Sequence, residues 1–148
     1  ESECDALLYF QKNYLGAAPH EVPRRTLFVE DSEGKKLATA TIWWDYTGTR
    51  RDPWLSWVAT RPEAQGKGLG KALVYRTIEL ALEIEGDRDM YLHTQTWSHM
   101  AIPLYQKVGF YMTPEQNLGP YSNPNDSFDR AKKIMAELGY DIKDNIAK

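Results

Sequence analysis

A chain of 148 residues, 42% hydrophobic and 26% charged, has the size and make-up of one soluble globular domain, not of a disordered or fibrous protein. Its net charge of −3 argues against nucleic acid as a partner, no apolar run reaches membrane-spanning length, and the single cysteine, Cys4, allows neither an internal disulfide nor a multi-cysteine metal site. The opening ESECDALLYFQK has no basic start or apolar signal region, so a cytoplasmic location is expected, and a start at Glu1 without methionine points to a missing upstream segment or tag.

In chain order, Asp5 to Leu15 has the spacing of an amphipathic helix stopped by Gly16, and AAPHEVPRR reads as connection. RTLFVE (25–30) predicts a strand, DSEG (31–34) a turn, and KLATATIWWDY (36–46) the returning strand of a hairpin. WLSWVAT (54–60) is almost wholly apolar, as in a strand buried on both faces. Leu69 to Glu85 predicts a long helix with Gly86 as its C-cap, and Met90 to Gln95 a further strand. Ser98 is placed to cap a short helix through Lys107, VGFYMT predicts a strand, and PEQNLGPYSNPND a loop. Ser127 then caps a closing amphipathic helix that Gly139 ends. The order predicts one α/β domain over residues 1–148, a mixed sheet flanked by helices, with 113–148 as an atypical loop and helix tail.

Charge is unevenly spread. From Arg50 to Arg76, six basic residues (Arg50, Arg51, Arg61, Lys67, Lys71, Arg76) face two acidic ones, Asp52 and Glu63. A local cationic patch suits a small anionic ligand, although solvated surface charge explains such a count equally well.

Within that patch lies RPEAQGKGLGKAL (61–73), glycine-rich between a strand and a helix. Glycine there lets the backbone turn or a ligand approach closely, and the unpaired N–H groups of a helix start attract an anion. A nucleotide triphosphate loop requires G-x-x-x-x-G-K-[ST], but Ala72 follows Gly70-Lys71 and Gln65 stands five places before Gly70. A dinucleotide fingerprint would need a third glycine where Lys71 stands.

What remains is Gln65-Gly66-Lys67-Gly68-Leu69-Gly70, the pattern [QR]-x-x-G-x-[GA]. Downstream, MAIPLYQKVGFYM carries Ala101, Leu104, Tyr105, Lys107, Gly109 and Phe110 in the arrangement A-x-x-L-Y-x-K-x-G-F. With both motifs in this order, the chain resembles the GNAT superfamily of acyl-CoA-dependent N-acyltransferases over roughly Arg25 to Thr113. The resemblance implies a strand–glycine loop–helix site for acetyl-CoA, with the amides of Gln65, Gly66, Lys67, Gly68, Leu69, Gly70 and Lys71 around the pyrophosphate. Lys67, Lys71 or Arg76 would meet the 3′-phosphate, and the main chain of Val58, Ala59 and Thr60 would receive the pantetheine arm, from which the 90–95 strand would splay. Ser98 stands where the family often has asparagine.

Acyl transfer to an amine needs a base, an oxyanion donor and an acid for the thiolate. By the resemblance, Tyr105 is the acid, the alternative being a packing role against pantetheine or core. The N–H of Val58 or Ala59 would polarise the carbonyl. For the base, Asp52, Asp45, His93, His99 and a water chain all stay open. Trp43, Trp44, Trp54, Trp57 and Trp97 read as packing residues or as walls of an acceptor cleft, where aromatic faces with Asp45 or Asp52 would suit a cationic amine. The expected activity is N-acetyl transfer from acetyl-CoA to a primary amine of a small molecule or protein, without metal, nucleic acid or membrane; the alternative is a non-catalytic acyl-CoA sensor or interaction module. Pro103, beyond the first turn of a helix capped by Ser98, predicts an irregular start there. The ends lack the family's first strand and a strong last one, GPYSN and YDIKDNI being poor matches. A fragment, a shortened variant, or a homodimer completing the sheet would each account for that.

Overall fold

The computed structural model describes residues 3–114, 117–122 and 126–142. They form two compact units, Glu1–Trp43 with Leu55–Arg88, and Trp44–Trp54 with Asp89–Lys148.

The first unit opens with helix α1 (Glu3–Phe10), which widens into a π-helical turn, Gln11–Leu15. The Gly16 N–H closes it on the Gln11 carbonyl at 2.8 Å. The sequence places one helix over 5–15, and the structure divides it. The connection predicted next contains a one-turn helix, α2 (Val22–Arg25), with Pro23 in its first turn, where a missing N–H costs nothing.

Strand β1 (Thr26–Glu30) pairs antiparallel with β2 (Lys36–Thr47) in a register that sets Thr26 opposite Thr41 and Phe28 opposite Thr39. Asp31 builds the intervening turn, its carboxylate accepting the N–H groups of Glu33 and Lys35 at 2.9 Å each. Strand β3 (Arg50–Thr60) completes the three-stranded order β1-β2-β3 and starts four residues before the predicted WLSWVAT. Gly48, at φ +61, makes the two-residue turn from β2 into β3. Buried Ala38, Ala40, Ile42 and Leu55 line the sheet, and helix α3 (Leu69–Glu85) adds Leu73, Val74, Thr77 and Ala81. The buried Thr77 hydroxyl donates to the Leu73 carbonyl at 2.8 Å, so its burial leaves no polar group unmet.

Arg25, 4% exposed, is held from two sides. Its Nε donates to Glu21 at 2.5 Å and its Nη1 to Glu85, at the end of α3, at 2.6 Å. The guanidinium thereby ties the entry of β1 to the exit of α3, and it keeps the Glu21 carboxyl below the usual carboxylate range.

In the second unit the sequence reading needs more correction. No strand spans Met90–Gln95; Tyr91 alone forms a parallel bridge with Trp54, its N–H donating to the Pro53 carbonyl at 3.0 Å. Proline at 53 offers that edge an acceptor but no donor, which limits the ladder there. The helix expected from Ser98 is a 3₁₀ segment, Thr96–Ala101, followed by helix α4 (Ile102–Lys107) with Ala101 as its N-cap. Ser98 sits inside the 3₁₀ segment at non-helical φ −95, ψ 25 and caps nothing, while Pro103 falls within the first turn of α4. VGFYMT forms no strand. The predicted loop holds a small hairpin instead, β4 (Asn117–Leu118) with β5 (Tyr121–Ser122). Helix α5 (Ser127–Glu137) follows, with Asp126 and not Ser127 at its N-cap position and no side-chain hydrogen bond capping it, and Gly139 at φ +84 ends it. Residues 143–148, most of YDIKDNI, lie outside the described residues. No helix among the described residues is long and apolar enough to cross a membrane.

Replacing Arg25 by Ala removes the guanidinium from two carboxylates, one of them the 5%-exposed Glu85, and is expected to cost about 3 kcal/mol. Urea unfolding of the variant measures it. A loss below roughly 1 kcal/mol would mean that the pair contributes only as a surface ion pair does.

Candidate active site

The glycine loop is built as its composition demands. A 3₁₀ turn, Pro62–Ala64, leads off β3, and the Gln65 side chain donates back to the Thr60 carbonyl at 3.2 Å, closing the loop on the strand. Gly66 and Gly68 then take φ +75 and +77, left-handed values that a side chain strains. A Cβ on either would meet nothing within 4 Å, so the space over the loop is open. Gly68 is the N-cap of α3, and the first intrahelical bond runs from the Ala72 N–H to the Gly68 carbonyl at 3.1 Å. The N–H groups of Leu69, Gly70 and Lys71 precede that bond and point out of the helix start, where the helix dipole favours negative charge. Open space above glycine backbone, with outward donors, fits a pyrophosphate.

The cationic patch thins once its partners are known. Arg50 is paired with Asp52, Arg51 lies over Trp44 at 4.7 Å, Arg61 donates to the Lys36 carbonyl at 2.6 Å, and Arg76 pairs with Glu79 and Glu83. Lys67 and Lys71 make no ion pair among the described residues, and both are exposed beside the loop. Of the cations offered for a 3′-phosphate, Lys67 makes no ion pair or ring contact among the described residues, Lys71 lies over the Tyr75 ring at 5.9 Å, and Arg76 is committed along the outer face of α3.

The end of β3 departs from the expected strand buried on both faces. Asp52 to Leu55 are buried, but Ser56 to Thr60 are half-buried or exposed, with Ala59 the most open. Val58, Ala59 and Thr60 are thus not packed away as Asp52 to Leu55 are. Just before them, Trp57 takes φ +53, the one non-glycine positive value among the described residues, and nothing in the sequence pattern signals it. The rings of Tyr9, Phe10 and Tyr14 surround its indole with centroids at 6.1, 5.7 and 6.0 Å.

The other residues singled out in the sequence lie mostly in the second unit. Tyr105, on α4, packs edge-on to Phe110 at 6.3 Å, and burial pushes its phenol above the ordinary value. His93 is exposed at its rim, yet nearby protein desolvates the imidazole enough to lower its pKa. Asp52 is occupied. One oxygen accepts from Arg50 Nε at 2.8 Å, and the other from the Thr47 hydroxyl at 2.8 Å and Arg50 Nη2 at 3.1 Å. The same Thr47 oxygen accepts the Gly119 N–H at 2.8 Å, and a Cβ at Gly119 would stand 2.7 Å from the Trp54 ring. The carboxylate offered as a base thus anchors the β2–β3 turn and the β4–β5 turn. Asp45 is half-buried and its carboxyl is raised by desolvation, against the Tyr46 N–H that it accepts. His99 is turned to the Thr96 carbonyl, 3.2 Å from Nδ1, and meets the Tyr140 ring edge-on. Trp43 and Trp44 part as alternation requires, Trp43 buried against Tyr14 and Trp44 under Arg51. The Trp97 side chain lies outside the described residues. Among the described residues no three His, Cys, Asp or Glu side chains stand together as a metal site would need.

Comparison with known proteins agrees with this architecture. A predicted acetyltransferase of Clostridium acetobutylicum solved with acetyl-CoA superposes with a TM-score of 0.56 at 22% identity, covering 78% of this chain and 73% of that one. A GCN5-related N-acetyltransferase of Ralstonia eutropha JMP134 gives 0.56 at 18%, covering 79% and 80%. Spermidine N-acetyltransferase of Vibrio cholerae, in complex with CoA and spermine, gives 0.53 at 21%, covering 82% and 72%. No curated protein matches the chain. The sequence profile of the acetyltransferase (GNAT) family matches residues 2–110, nearly three quarters of the length, and the chain belongs to that family.

Proposed function

We propose that this chain transfers an acetyl group from acetyl-CoA to a primary amine of a small molecule or protein, by direct attack with both substrates bound. The observation that carries the proposal is the loop at the start of α3: two left-handed glycines, open space above them and three outward N–H groups. The relatives point the same way, one solved with acetyl-CoA and one with CoA and spermine.

Acetyl-CoA supplies an activated thioester carbonyl. The loop amides and the exposed Lys67 and Lys71 bind its phosphates, and the main chain of Val58 to Thr60 takes the pantetheine arm. Carbonyl polarisation falls to the N–H of Val58 or Ala59, donors whose orientation is set before the substrates arrive. Tyr105 protonates the departing thiolate, a role taken from its place in the second motif; desolvation disfavours the phenolate, so the proton to be given is present at neutral pH. Among the bases weighed, Asp52 already accepts bonds on both oxygens, whereas desolvation holds His93 neutral at pH 7 and able to accept a proton. His93 is therefore assigned as base, and Ser98 joins the proposed cofactor contacts only through its motif position. A cytoplasmic location is kept as part of the same proposal.

Gly68→Val forces a β-branched residue to φ +77 and fills the open space, and about a tenfold rise in KM for acetyl-CoA is expected with kcat nearly kept. Gly34→Val, equally left-handed at φ +81 but in the β1–β2 turn, is the control and leaves KM unchanged. Equal effects in the two variants would reduce the glycine loop to a structural turn.

Tyr105→Phe is expected to lower kcat by roughly 100-fold while acetyl-CoA affinity moves little. Its pKa is raised, so wild-type kcat should show no loss from phenol ionisation below about pH 10. Unchanged turnover in the variant would return Tyr105 to a packing role, and acetyl-CoA binding by the wild type without turnover on any amine would favour the sensor reading.

His93→Gln should lower kcat/KM at pH 7 about tenfold. A histidine base loses function as pH falls through its lowered pKa, so the wild-type acid limb lies below roughly pH 6.5 and disappears in the variant. An acid limb that persists in the variant would assign the base elsewhere.

A further inference from the structure

Resting on the acetyl-transfer reading, we infer that Trp57 is a positioning residue and that the aromatic face of α1 and its π-helical turn holds it in place. A tryptophan at φ +53 is strained and persists only where its surroundings impose it. What surrounds it is specific. Phe10 and Tyr14 stack on each other at 5.0 Å with their planes 10° apart, and both present their rings to the indole nearly edge-on, at 87° and 78°. Tyr9 closes a third side. Tyr14 is itself braced on buried Trp43, 4.6 Å away, so the sheet backs the ring that grips the strand.

The π-helical turn matters to this geometry. Gly16 bonds back five residues to Gln11, and the wider turn lies over the segment that carries Tyr14. Ring pairs so placed attract one another beyond their burial, and the three of them together oppose the backbone strain. The strained residue immediately precedes Val58 and Ala59, the main chain assigned to the thioester carbonyl. Turning Trp57 back to extended geometry would rotate the peptide plane that carries the Val58 N–H. The N-terminal helix, which supplies no atom to the reaction, therefore sets the aim of the donor.

The test compares Tyr14→Leu, Tyr14→Phe and Tyr9→Ala with wild type in two measurements. The first is the strong intraresidue HN–Hα NOE by which NMR marks a positive φ at residue 57. The second is the separation of kcat from KM for acetyl-CoA. Tyr14→Leu should lose the NOE and about tenfold in kcat with KM changed less than twofold, whereas Tyr14→Phe, which keeps the ring, should retain both. Tyr9 is 57% exposed, so Tyr9→Ala leaves no core cavity; it should weaken the NOE and lower kcat in the same direction even if Tyr14→Leu does not fold. An NOE that survives both Tyr14→Leu and Tyr9→Ala would overturn the inference, because the strand would then fix Trp57 unaided. Loss of the NOE with kcat unchanged would overturn the positioning role. A wild type with no turnover on any amine would refute the acetyl-transfer reading, while the NOE would still decide whether the rings hold Trp57.

Discussion

A helix cannot satisfy its own first N–H groups, and α3 begins with three such donors and no side chain to cap them. In most helices a serine or aspartate at the N-cap would accept one. Here Gly68 occupies that place, so the donors stay available and the dipole is left uncompensated. The neighbouring features follow from this choice. Gly66 and Gly68 keep side chains out of the space above, the Gln65 amide fixes the loop to Thr60, and Lys67 and Lys71 stay exposed beside it, outside any ion pair among the described residues.

The strand leading into the loop shows the same economy. β3 is buried where it carries the core and opens where its backbone is wanted, from Ser56 onward. Just inside the open stretch stands Trp57, with backbone strain on one side of the balance and three ring contacts on the other. In the second unit, Asp52 plays a corresponding structural part. Its carboxylate gathers Arg50 and Thr47, and through Thr47 the Gly119 N–H, into one chain of hydrogen bonds. A buried acid that looks catalytic in a sequence can thus be the acceptor that a turn requires.

The parts readable from the sequence were those governed by local rules. Periodicity marks α3 through Leu69, Leu73, Leu80 and Ile84 with Val74, Ile78 and Ala81, of which Leu73, Val74 and Ala81 are buried, and the spacing of Gly66 and Gly68 identifies the loop. The β1–β2 hairpin follows from DSEG and its flanking β-branched residues. The parts misread depend on contacts between distant residues. Met90 to Gln95 alternates like a strand, yet the Pro53 edge offers Tyr91 an acceptor and no donor. Ser98 is a local exception: it looks like a cap, but Pro103 prefers the first turn of a helix and moves its start to Ile102, the irregularity that Pro103 already signals in the sequence. Trp57 gives no warning at all, since its conformation is imposed by rings more than forty residues earlier. In the candidate site, the loop was legible in outline, while the commitment of Asp52 and Arg76 to ion pairs required the three-dimensional arrangement.

The central claim is that the donors at the start of α3 hold the pyrophosphate of an acyl-CoA. Calorimetric titration of the wild-type protein with acetyl-CoA, with ATP and NAD as controls, tests it most directly. Micromolar binding of acetyl-CoA is expected, and none comparable for the other two. Equal binding of ATP or NAD, or no binding of acetyl-CoA, would contradict it.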